Sequence, residues 1–349
     1  MVEIVFAVPG DLDMPTGGYG YARRVIELLP SCGIRARHVE LPAAFPAPAP
    51  HDLAETERLL RDTPATCILL IDGLAYGSMP GELIQRLGRQ VLALVHHPLC
   101  LERGLSAERC ATLKASETAA LALARHVIVT SASTARILRS VFAVPEERVT
   151  VAEPGTDPAP RAIGSSSGPI QLLAAGSIIP RKGYDVLIGA LDKLPPSGWE
   201  LTIAGATDRS PETANALRMQ IRHSRCASQI RLVGALNQCA LAELYARSDL
   251  FVMSSYYEGY GMVLTEALAR GLPIVTTTCG AAAEMLPAAA ALKVPPGDVG
   301  ALANALGRAI DDATLRKSLA DEAWAAAKAL PRWEATARAI ATILKNMAL

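Results

Sequence analysis

Apolar runs recur along the chain at intervals that one helix can fill. In the first half, residues 2–8, 67–72, 91–95, 126–130 and 149–152 read as buried strands. In the second half, residues 170–175, 200–204, 230–233, 250–253 and 274–277 do the same. Between them lie segments with apolar positions at helical spacing, among them residues 21–29, 105–125, 184–194, 240–246 and 261–270. Continuous apolar strands alternating with helices predict parallel sheets covered on both faces, so the class is α/β, built twice. The stretch SSSG at residues 165–168 is the boundary that composition favours, giving domains 1–164 and 165–331. Alanine-rich helices fill residues 301–330, Pro331-Arg332 breaks the pattern, and a last helix is expected over 333–347. The Pro- and Ala-rich residues 41–50 read as a solvent-exposed loop.

Composition narrows the function. A chain of 349 residues has room for about two domains of ordinary size. With half its residues hydrophobic and 19% charged, it is expected to bury a large core. A formal net charge of zero points away from a nucleic-acid partner. Seven cysteines without a Cys-x-x-Cys pair favour a reduced, cytoplasmic protein over a disulfide scaffold or a zinc site. The opening VEIVFAVP is too short for a signal peptide, and no run reaches the length of a membrane span, so no integral membrane segment is expected.

The chemistry concentrates in residues 250–277. A buried strand is followed by the turn SSYYEG and then by a helix bearing Val263, Leu264, Ala267 and Leu268 on one face. Gly271 closes that helix and Pro273 opens the next strand. Ligands of open parallel sheets bind at such strand ends. Gly259 and Gly261 let the backbone approach a ligand closely. The amides of Tyr260, Gly261, Met262 and Val263 at the positive end of the helix suit a diphosphate. Glu258 and Glu266 stand eight residues apart. Helical side chains lean toward the N-terminus, so Glu266 is expected to look back toward the pocket of Glu258, where a carboxylate can accept two adjacent hydroxyls such as a ribose diol.

The segment EGYGMVLTEALARGLPIV resembles the Glu-x7-Glu segment of retaining glycosyltransferases of family four, which have the GT-B fold. The resemblance implies two doubly wound Rossmann-like domains facing a central cleft, the last helix (332–349) packing back on the N-terminal, acceptor-binding domain. It implies a retaining, metal-independent hexosyltransferase without a cofactor. A UDP- or GDP-sugar is then the donor, and a small-molecule, glycan or lipid-linked hydroxyl the acceptor. On this resemblance Glu258 contacts the donor sugar, Glu266 the ribose, and the backbone of Tyr260 to Leu264 the diphosphate.

Other segments fit the same resemblance. The loop Gly176-Ser177-Ile178-Ile179-Pro180-Arg181-Lys182-Gly183 is similar to the family's Gly-Arg-x-x-x-x-Lys-Gly. Lys182 matches the lysine, while Ser177 stands where arginine is usual. Arg181 is available for the missing charge, although an adjacent side chain is expected to leave the loop in another direction. Two neighbouring cations there would neutralise a diphosphate leaving group. Gly205, Ala235 and Leu236, at the ends of two strands, resemble the base pocket, and Gly280 and Glu284 a loop near the base or ribose.

In the first half, the loop after residues 2–8 contains Gly17 and Gly18, which in the family face the donor phosphates across the cleft. His96-His97-Pro98 ends another strand, at a site position. The family commonly has a histidine here near the reacting sugar carbon. Strand register favours His96, with His97 the alternative, because a slip of one residue exchanges which ring points inward. Arg136 and Arg139 read as a solvated helix face, and residues 153–157 resemble a turn that closes the family's first domain. Asp11-Leu12-Asp13 has the form of an Asp-x-Asp metal motif, but Asp, Gly and Pro are ordinary turn residues, and the expected site holds no metal. Alternatives are another GT-B activity, a sugar phosphorylase or nucleotide-sugar epimerase, or a non-catalytic nucleotide-sugar-binding protein.

Overall fold

The computed structural model describes residues 2–348. The chain divides into two units, residues 1–155 with 331–349, and residues 156–330. In the first, strands β1 (Val2–Pro9), β2 (Ile34–Leu41), β3 (Ile68–Asp72), β4 (Val91–Val95), β5 (His126–Val129) and β6 (Val149–Val151) form one sheet in the order β2-β1-β3-β4-β5-β6. In the second, β7 (Ile170–Ala175), β8 (Trp199–Ala204), β9 (Ile230–Gly234), β10 (Leu250–Met253), β11 (Ile274–Thr277) and β12 (Ala291–Val294) form another, ordered β12-β11-β10-β7-β8-β9. All neighbouring strands run parallel. The inner strands β3, β4, β10 and β11 are buried at every position, as a sheet sandwiched between helical layers demands.

Each strand order reverses once, between β1 and β3 in the first sheet and between β7 and β10 in the second. The helices that follow adjacent strands there leave in opposite directions, which opens a crevice at the strand C-termini.

Three sequence expectations are corrected. Two edge strands, β2 and β12, were not foreseen. β2 carries Arg35, Arg37, His38 and Glu40, so no apolar run marks it. Residues 41–50 are not wholly exposed, because Leu41 ends β2 in the core and Phe45 is buried with it. The units divide at Gly155–Thr156, before the SSSG stretch. The stretch starts inside the second unit, where Ser165 donates its amide and hydroxyl to Asp249 at 2.9 and 2.7 Å. The last helix, Trp333–Met347, belongs to the first unit, its Thr336 hydroxyl bonded to the Glu153 carbonyl at 2.6 Å.

A buried acid fixes the turn after β4. Glu117, in the helix Ala107–Leu123, accepts the Leu99 amide at 2.9 Å, while its other oxygen is buried without a hydrogen-bond partner. Burial pushes this carboxyl up to about 8, against the pull of the Leu99 amide. The unfolded acid loses its proton near 4.5, so across that window the native chain holds a proton the unfolded chain lacks, and stability falls as pH rises. Glu117→Gln keeps the acceptor and cannot ionise. Its unfolding free energy should overtake that of the wild type between pH 5 and 8, at about 1.4 kcal/mol per pKa unit. Parallel curves across that range would contradict the assignment.

Candidate functional site

In the second unit, three loops meet at the strand-order reversal. The loop after β7 runs through the 3-10 turn Pro180–Lys182 and ends at Gly183, whose φ is +64°. A Cβ on Gly183 would lie 2.3 Å from the Ser254 carbonyl oxygen, so this turn sits directly on the loop after β10. The Tyr256 amide donates to the Arg181 carbonyl at 2.8 Å, and the Ser254 hydroxyl to the Lys182 carbonyl at 3.1 Å. The loop after β11 closes the third side. Gly280, with φ +51°, would place a Cβ 2.0 Å from the Glu258 carbonyl oxygen, and the Ala281 amide donates to that oxygen at 3.0 Å.

This stitching aims both cations at one acid. Lys182 Nζ lies 2.6 Å from Glu258 Oε1, and Arg181 Nη1 lies 3.4 Å from Glu258 Oε2 while donating to the Tyr257 carbonyl at 2.7 Å. The expectation that Arg181 leaves the loop in another direction is therefore overturned. The tight turn, anchored by Tyr256 and Ser254, brings both side chains to the same carboxylate. Ser255 adds a hydroxyl to Oε1 at 2.6 Å. Burial alone would raise the Glu258 carboxyl, but Lys182, Arg181 and the hydrogen bonds outweigh it and hold the group down to about 2. Two cations thus converge on one buried carboxylate.

Glu266 has different partners. It lies in the helix Met262–Leu268, whose N-cap Gly261 has φ +95°. Its Oε2 accepts the Tyr245 hydroxyl at 3.0 Å. Burial raises this carboxyl, with Tyr245 and Arg270 opposing. Gly259, Tyr260 and Gly261 are buried, and Met262 and Val263 are half-buried. The Leu264 amide is used within the turn, donating to the Gly261 carbonyl at 2.9 Å, so of the expected amides it is not directed outward.

The remaining second-unit residues lie along the C-terminal edge of the same sheet. Ser177 follows Gly176 at the end of β7. Gly205, after β8, is demanded by packing, since a Cβ there would stand 1.8 Å from the Gly176 carbonyl oxygen. Its amide donates to the Gly234 carbonyl at 2.8 Å, just before Ala235 and Leu236. Cys279 is buried beside the acid cluster, its thiol pushed up to about 11 by burial while it accepts the Thr277 hydroxyl at 3.2 Å.

In the first unit, Gly17 and Gly18 open the helix Gly17–Leu28, four residues before the expected start at Tyr21. A Cβ on Gly18 would stand 3.4 Å from His96 Nε2, so the helix start and this ring are neighbours. His96 Nε2 lies 3.4 Å from Asp72 Oδ2, and its ring meets Tyr21 edge-on at 5.4 Å. His97 lies elsewhere, 3.7 Å from Glu102. Asp11 accepts the amide of Asp13 at 2.8 Å, which is local turn bonding. Asp72, Ser255 and Tyr245 were missed by sequence reasoning. Asp72 ends a strand before a glycine and Ser255 precedes Glu258 by one turn, but nothing local marks their partners.

The family model for Glycosyl transferases group 1 matches residues 156–325, nearly the whole second unit. Glycogen synthase of Mycobacterium tuberculosis is 35% identical over 149 residues, covering 42% of this chain and 35% of that protein. Mannosylfructose-phosphate synthase of Agrobacterium fabrum is 33% identical over 115 residues, covering 31% of this chain and 25% of that protein. The chain thus spans about a third or less of these curated relatives. Sucrose-phosphate synthase from Thermosynechococcus elongatus superposes with a TM-score of 0.83 at 21% identity, covering 99% of each chain. Anabaena Alr3699/HepE, in complex with UDP-glucose, gives 0.77 at 18% identity, covering 98% of this chain and 100% of that one. Among the described residues, no helix is long and apolar enough to cross a membrane. By sequence residues 156–325 match the group 1 glycosyl transferases, and by fold the chain is GT-B, two doubly wound Rossmann-like units.

Proposed function

We propose that the protein transfers a sugar from a UDP- or GDP-sugar to a hydroxyl acceptor with retention of anomeric configuration, without a metal or cofactor. The observation that carries the reading is the convergence of Lys182 and Arg181 on Glu258 at the strand-order reversal of the second sheet. Two neighbouring cations at a strand-end turn suit a diphosphate that gains charge as its bond to the sugar breaks. Glu258, ionised, accepts hydroxyls of the donor sugar. Glu266 accepts the ribose diol, and the amides of Tyr260, Met262 and Val263 add donors to the phosphates. In the reaction the bond from sugar C1 to the β-phosphate oxygen breaks. A bond from C1 to the acceptor oxygen forms on the same face, and the acceptor proton passes to the leaving phosphate. No enzyme nucleophile is required. The first unit, with His96 beside the Gly17–Gly18 helix start, takes the acceptor, a small molecule, glycan or lipid-linked hydroxyl. The UDP-glucose complex of the Anabaena protein supports a nucleotide-sugar donor. Free cysteines at all seven positions support a cytoplasmic location.

Turnover is tested by nucleotide release from UDP- and GDP-sugars over an acceptor panel, with and without EDTA. Lys182→Ala should raise the barrier by about 2.7–4 kcal/mol, EDTA should change nothing, and His96→Ala should cost far more than His97→Ala. Lys182→Ala turnover within a few-fold of wild type would contradict the leaving-group role. Metal-dependent turnover would contradict the charge assignment.

The ion cluster also has a signature in stability. A carboxyl held down to about 2 contributes stability that is present above its ordinary value of 4.5 and lost as pH falls toward 2. The thermal gap between wild type and Lys182→Met should therefore be widest above pH 5 and shrink toward pH 2. A gap constant to pH 2 would show that Lys182 acts through packing instead.

A further inference from the structure

Glu266 does not reach its position by helix geometry alone. Tyr245, in the helix Gln238–Arg247, is 1% exposed and packed against a second ring and a guanidinium. Its ring stacks on Phe251 of β10 at 5.6 Å with 25° between planes, and the Arg270 guanidinium lies 4.6 Å from its centre. Arg270 is in turn held by its bond to the Glu266 carbonyl at 2.9 Å. A ring fixed this way delivers its hydroxyl to one place, between Glu266 Oε2 at 3.0 Å and the Val263 carbonyl at 3.3 Å. Both acceptors belong to the helix that begins at Met262.

We propose that Tyr245 is a positioning residue for ribose recognition, its clamped hydroxyl holding the Glu266 carboxylate in the orientation that accepts the two ribose hydroxyls. The proposal rests on the role given to Glu266 above. A carboxylate offers about four acceptor sites, and Tyr245 occupies one, so the remainder can face a diol. The groups acting on Glu266 are Tyr245, Arg270 and Asp157. Burial, the largest influence, and Asp157 oppose the charged form and raise the carboxyl, while Tyr245 and Arg270 work against them. A side chain with several rotatable bonds loses less freedom on binding when it is already held, so the hydroxyl raises affinity without touching the nucleotide.

The test is calorimetric titration of the full chain with UDP, GDP and ADP, each beside its 2′,3′-dideoxy analogue. Wild type, Glu266→Ala and Tyr245→Phe are compared, with thermal midpoints measured for all three. Phenylalanine keeps the ring contacts with Phe251 and Arg270. Tyr245→Phe should bind the preferred ribonucleotide about tenfold more weakly, the loss of about one charge-assisted hydrogen bond, and the dideoxy form within about twofold of wild type. If Glu266→Ala loses the preference for ribose while Tyr245→Phe keeps it, or weakens both nucleotides equally, the positioning role is wrong and the Glu266 assignment stands. If Glu266→Ala keeps the wild-type preference, or wild type shows none, the Glu266 assignment itself fails.

Discussion

Burying a carboxylate is costly unless partners accompany it, and Glu258 is the buried charge around which the second unit is arranged. Its three side-chain partners, Lys182, Arg181 and Ser255, come from two loops, and a third loop touches its backbone through Gly280 and Ala281. The contacts that position those partners are backbone contacts of close approach, Gly183 on Ser254 and Tyr256 on Arg181. Removing the acid would strand two cations that are each mostly buried, and removing a cation would leave the acid short of charge. The cluster thus ties strand-end geometry to electrostatics, since the pairing that holds Glu258 ionised also fixes the two cations in place.

Much of this was legible in the sequence, for identifiable reasons. Strands such as β4 and β10 are apolar at each position because both faces are covered, so a simple run marks them. β2 was not legible because an edge strand with Arg35, Arg37 and Glu40 has one neighbour and tolerates polar faces. The helix beginning at Gly17 was placed late because glycine is a poor helix former, and tertiary contacts override that preference there. Glu258 and Glu266 stood out by spacing, and Lys182 by the resemblance of its loop to the family's pattern. The aim of Arg181 did not, because it depends on an amide 75 positions away, that of Tyr256. Asp72 beside His96 and Tyr245 beside Glu266 were hidden for the same reason, since their partners become neighbours only once strand order is known.

The two kinds of similarity carry different weight. The family match ends at residue 325 and lies within the second unit, while the likeness of fold runs through nearly the whole chain at 21% identity or less in the comparisons above. A fold needs only the apolar pattern, volume and turns, which many sequences supply. The first unit therefore has a defined architecture, with His96, Asp72 and the Gly17 helix start gathered at its strand ends.

The central claim is that Arg181 and Lys182, beside Glu258, receive a diphosphate. The most direct measurement compares the affinity of the full chain for a nucleoside diphosphate and for the corresponding nucleoside, at low and high salt, with the Arg181→Ala/Lys182→Ala double variant alongside. The account predicts that wild type strongly prefers the diphosphate, that salt weakens this preference, and that the double variant abolishes it while leaving nucleoside binding intact. Equal preference for the diphosphate in wild type and double variant would contradict it.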